Sequence, residues 1–67
     1  MTDTNKLKAK IIEKGFTTTS LAKELNLSKT TLSQKTNNKV KFSQVDIRKI
    51  SEKLELTGEE IKDIFLN

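Results

Sequence analysis

The sequence predicts an all-α domain of five short helices. Three observations carry that prediction. Apolar residues recur at helical spacing rather than in alternation. Hydroxyl and acidic residues stand where helix N-termini need side-chain acceptors. No proline occurs anywhere, and no β-branched run alternates as a strand would.

Leu7 and Ile11, with Ile12 beside them, mark an amphipathic helix near 5–14. Gly15 lies where a C′ glycine ends it. Thr17 caps a second helix that turns Leu21, Ala22 and Leu25 inward. Asn26 suits a sharp turn, because Asn accepts left-handed φ better than most residues. Ser28 caps a third helix over roughly 29–37. "NNKVK" is then a polar loop closed by Phe42. Ser43 and Asp46 have the spacing of an N-terminal cap, ahead of a face made by Ile47, Ile50 and Leu54. Thr57 and Glu60 repeat that spacing ahead of Ile61, Ile64 and Phe65. All these apolar positions are expected in the core. At "DIFLN" a helix cannot turn both Phe65 and Leu66 inward. Either Phe65 packs and Leu66 frays, or the segment makes a dimer contact.

Residues 1–67 form one domain at most, and a chain this short buries only about 60% of its unfolded surface. Ile, Leu, Val and Phe make up nineteen of the 67 residues, enough for a small core. Cysteine is absent, which excludes disulfides, thiolate metal sites and thiol nucleophiles. With no signal-like or membrane-length apolar run, a cytoplasmic protein is expected. Histidine and tyrosine are also absent, and no Gly-rich phosphate loop occurs. An enzyme is therefore not expected, nor a catalytic residue, metal, cofactor or small-molecule substrate.

The net charge of +4 is unevenly placed. Residues 1–24 balance at +2, and residues 46–67 at −2. Residues 25–45 hold Lys29, Lys35, Lys39 and Lys41 with no acid, a balance of +4. Such a patch suits an anionic partner; a solvated lysine-rich face gives the same count.

Within this patch lies "LAKELNLSKTTLSQKTNNK", two helices across a tight turn. The arrangement meets the demands of a helix-turn-helix over about 17–37. Ala22 is small where the helices approach, Asn26 turns the chain, and Leu21, Leu25, Leu27 and Leu32 pin both helices. The second helix is otherwise polar on its outer face, as a helix entering the major groove must be, and its lack of acids avoids repulsion from phosphate. Lys29, Thr30, Ser33 and Gln34 are the expected base readers. Gln can bond adenine N6 and N7, Lys can donate to guanine O6 and N7, and a Thr methyl can touch a thymine methyl. The N-terminus at Ser28 offers backbone N–H groups to a phosphate oxygen. A membrane surface would demand a strongly apolar face, which this helix lacks.

"FTTTSLAKELNLSKTTLSQKTNN" resembles the DNA-binding domain of small phage repressors and Cro proteins, the lambda-repressor-like or XRE family. The resemblance spans roughly residues 5–65, and "KISEKLELTGEEIKDIFLN" looks like the closing helices of Cro-like proteins from phages of Gram-positive bacteria. It implies a compact five-helix fold and a transcriptional repressor that occupies a palindromic operator on double-stranded DNA, as a homodimer at least when bound, in a bacterial host. It also implies that the chain ends after the DNA-binding domain. By the same resemblance Thr18 stands where the family holds a phosphate with Gln, and Lys29, Thr30 and Gln34 stand at base-reading positions. Thr31, Asn37, Lys39 and Lys41 match places that hold the sugar-phosphate backbone. Three departures are visible. Asn26 replaces the usual turn Gly, Lys35 and Thr36 replace a common Ile-Glu pair, and Asn38 replaces a terminating Gly. A protein-interaction module of antitoxin or anti-repressor type is the rival reading, since fold does not fix function.

Overall fold

The computed structural model describes residues 2–66. Met1 and Asn67 lie outside the described residues, so "DIFLN" is described only as far as Leu66. Five helices follow one another: α1 (Thr4–Glu13), α2 (Thr18–Glu24), α3 (Lys29–Thr36), α4 (Gln44–Lys53) and α5 (Gly58–Phe65). Among the described residues no strand occurs. The all-α, five-helix expectation agrees with this architecture, with boundaries shifted by about one residue, as helix ends commonly are.

Each helix begins with a side-chain cap. Asp3, Thr17, Ser28, Ser43 and Thr57 accept hydrogen bonds from the backbone N–H three residues on. Three of the caps are reciprocal: Ser20, Asp46 and Glu60 bond back to the N–H of Thr17, Ser43 and Thr57. Each such cap contributes about 1 kcal/mol, which matters in a domain of this size.

Four helices also end alike. Gly15, Asn26, Asn38 and Glu55 adopt φ of 85°, 56°, 60° and 53°. The next N–H then folds back onto the last turn: Phe16 to Ile11, Leu27 to Ala22, Lys39 to Gln34 and Leu56 to Ser51, at 2.8–2.9 Å. This is the Schellman closure, usually completed by an apolar residue packed on the helix end. Phe16, Leu27 and Leu56 supply that contact against the core. At α3 the same position is Lys39, which is exposed.

The core joins Leu7 and Ile11 of α1, Leu21 and Ala22 of α2, Leu25, Leu32 of α3, Ile50 and Leu54, and Ile64 and Phe65 of α5. Phe42 meets Phe65 edge to face at 5.3 Å. Asp3 N–H donates to the Ile64 carbonyl at 2.7 Å, tying α1 to α5. Ile12, expected in the core, is instead 74% exposed. One residue beyond Ile11 is a rotation of about 100°, which carries its side chain off the buried face. Phe65 is buried and Leu66 is 71% exposed, so the two neighbours do point apart.

Candidate nucleic-acid interface

Because α3 has little apolar surface, its seat depends on a few contacts. Leu32 is fully buried and contributes about 1.5–3 kcal/mol. Thr36, one turn on, is 4% exposed, and its hydroxyl donates to the Ser33 carbonyl at 3.1 Å. Thr36 is thus a small polar residue held in the core with its hydrogen bond met. Lys35, on the other flank of Leu32, pairs with Asp46 of α4.

The Lys35–Asp46 pair sits at the junction of α3 and α4. Both side chains are mostly buried, at 13% and 15% exposure. Asp46 also accepts from the Ser43 N–H at 3.1 Å. Partial burial pushes the Asp46 carboxyl up, but the Lys35 ammonium and the Ser43 hydrogen bonds outweigh it and hold it below its ordinary value. Lys35 is therefore neutralised inside the fold. The positive patch at α3 is carried by the remaining lysines.

With Leu32, Lys35 and Thr36 turned inward, the opposite face is fixed by helical rotation. Lys29, Thr30, Ser33, Gln34, Asn37 and Lys39 line one shallow open concavity. All four expected base readers are brought together there, with two of the six expected backbone residues. No carboxylate lines it.

The other expected residues divide. Thr18 is the first residue of α2, half-buried. Ser28 caps α3: its oxygen accepts from the Thr31 N–H at 3.0 Å and its hydroxyl donates to Thr31 Oγ1 at 2.8 Å. Thr31 is half-buried and lies outside the concavity. Lys41 lies elsewhere, in a depression with Thr2, Asn38, Val40, Phe42, Ile47 and Phe65. Asn37 lines the concavity, but its amide is already held. Its Nδ2 donates to the Ser33 carbonyl at 2.9 Å, and its Oδ1 accepts from Lys8 Nζ at 2.9 Å.

Lys8 is the residue that sequence reading missed. It lies on α1, 29 residues from Asn37, and no local pattern announces that contact. Part of the signal was present: Lys8 is on the opposite side of α1 from Lys6 and Lys10.

Among the described residues no group of three or more His, Cys, Asp or Glu could hold a metal ion, and no helix is long and apolar enough to cross a membrane.

The chain is thus a small all-α domain that mounts an acid-free polar helix face beside a tight two-helix turn. It belongs to the family described as protein of unknown function, DUF739, which matches residues 1–67. No curated protein matches the chain.

Proposed function

We propose that the chain is a sequence-specific double-stranded DNA-binding regulator without catalytic activity, which seats α3 in the major groove. One observation carries the reading. The exposed face of α3 gathers Lys29, Thr30, Ser33, Gln34 and Lys39 on one surface with no carboxylate among them. A solvent-exposed helix with no binding role gains from mixed charge, including acids in its first turn. The first turns of α2 and α3 have none.

The readers act by matching base edges. Gln34 is suited to adenine, Lys29 to guanine, and Thr30 to a thymine methyl. Thr18, the N-terminus of α3 at Ser28, Thr31, Lys39 and Lys41 hold phosphates and set register. One such module spans few base pairs, so two copies on a palindrome supply specificity, with half-sites about 34–36 Å apart. The biological role is that of a Cro-like repressor of a phage or prophage, acting in the bacterial cytoplasm by excluding polymerase from a promoter. That role rests on the family resemblance, not on residue chemistry.

Binding selection from a random duplex library at low and moderate salt tests the reading. A palindromic motif that survives the higher salt is the expected result. Gln34→Ala should then cost about 1–3 kcal/mol and relax preference at one position. Binding that is uniform across sequences and disappears with salt would mean only phosphate attraction, and a protein-interaction module would take first place.

A further inference from the structure

Lys6, Lys8 and Lys10 alternate along α1. At about 100° per residue, Lys6 and Lys10 share a face and Lys8 points away from both. The shared face meets acids: Lys6 reaches Asp63 at 3.7 Å, and Lys10 bridges Glu13 and Glu60. Lys8 crosses instead to α3 and donates to Asn37 Oδ1. It has no carboxylate partner among the described residues.

The identity of the acceptor matters. A carboxylate would cancel the charge of the ammonium, whereas a neutral amide orients it and leaves the charge intact. Asn37 is itself fixed, since its Nδ2 is bonded to Ser33 of the same helix. The ammonium is therefore held beside the C-terminal end of the concavity, with its remaining N–H groups available. Lys29 stands at the other end of α3. Asn37, the C-cap of α3, lies about 12 Å along the helix axis from Lys29. With Lys29 assigned to a base edge, Lys8 is a cation at the opposite end of the face that can meet a phosphate.

We infer that Lys8 is a phosphate-binding residue of this interface, supplied by α1, and that Asn37 is its positioning residue. This rests on the DNA-binding reading above. It also reassigns Asn37, which acts through Lys8 rather than by holding the backbone itself.

The test is duplex affinity over a salt series, using the full chain and a random-sequence duplex, with melting followed in parallel. Lys8→Met should flatten the slope of log affinity against log salt by about 0.9. Across a fourfold rise in salt it should then lose about 3.5-fold less affinity than the wild type does. Lys8→Arg should restore the slope. Asn37→Asp should flatten it as Lys8→Met does, because the lysine stays in place but is neutralised. A role confined to supporting the end of α3 would alter melting and leave the slope alone. An unchanged slope in Lys8→Met, with salt-dependent wild-type binding, overturns the Lys8 assignment and spares the DNA reading. Wild-type protein that fails to bind duplex at any salt overturns both.

Discussion

The α2–α3 half and the α4–α5 half use the same capping scheme with different chemistry. Thr17 and Ser28 are answered three residues on by Ser20 and Thr31. Ser43 and Thr57 are answered by Asp46 and Glu60. In both halves each cap side chain meets the N–H three residues on. Only the second half uses carboxylates to do it, and a carboxylate there also favours the helix dipole. The α2–α3 half forgoes that gain and keeps its first turns free of negative charge. Helix stability and surface potential are thus set by separate choices. The acids of the second half are not idle either, since Asp46 holds Lys35 and Glu60 holds Lys10.

The largest break in this comparison comes from the anchor. The α4–α5 half buries Ile50, Leu54, Ile64 and Phe65, whereas α3 buries one large side chain, Leu32. Leu32→Ala should cost about 2–5 kcal/mol, enough to unfold much of a domain this small. Denaturant unfolding reads it directly. A loss below about 1 kcal/mol would mean that Lys35 and Thr36 seat the helix instead.

The next effect tests the link between the halves. Removing either partner of the Lys35–Asp46 pair strands a mostly buried charge, at about 1.5–3 kcal/mol. Asp46→Ala should cost more than Lys35→Met, because it also frees the Ser43 N–H. Equal losses would show that the cap contributes nothing. The same carboxylates set the acid limit of the fold. The Lys10 ammonium, then the Thr57 N–H, holds Glu60 down from an ordinary 4.5 to about 2. Asp46 is lowered as well. A carboxyl that is more acidic when folded adds stability above its ordinary value and loses it as pH falls through the folded value. Unfolding midpoints should hold near neutrality and fall between about pH 4.5 and 2. A flat profile there would separate these pairs from stability.

What was legible in the sequence follows the range of each contact. Caps at Thr17, Ser28, Ser43 and Thr57, and the turns at Gly15 and Asn26, involve residues within a few positions and residue types suited to each geometry. The candidate face was legible because helical rotation places Thr30 and Gln34 opposite Leu32, with Lys29 and Ser33 at its flanks. Lys35 with Asp46 and Lys8 with Asn37 are separated by 11 and 29 residues, so composition showed only spare lysines. Glu55 was missed for another reason. Its residue type disfavours a left-handed φ, and the closure of α4 by Leu56 imposes it.

That position sharpens the comparison at a smaller scale. The α2–α3 half turns with Asn26 and Asn38, whereas the other half turns with Glu55. A left-handed glutamate costs about 1–2 kcal/mol, so Glu55→Gly should raise stability by about 1 kcal/mol after the entropy of glycine is counted. Thermal melting would show it. A decrease would indicate a favourable side-chain contact at Glu55 that outweighs the strain.

The smallest expected effect on stability exchanges the two capping chemistries. Thr31→Glu gives α3 the carboxylate that α4 and α5 carry at the same position. Reciprocal capping and the dipole should add about 0.5 kcal/mol to stability. The new charge sits at the end of α3 that would meet phosphate, so duplex affinity should fall by up to about fivefold, the equivalent of 1 kcal/mol. The two readouts must move in opposite directions. If stability and affinity rise together, the absence of acids from the first turns of α2 and α3 has no electrostatic purpose, and the contrast between the halves is one of composition alone. If stability rises while affinity falls, the hydroxyl caps are the means by which a marginal domain keeps one helix both formed and acceptable to an anion.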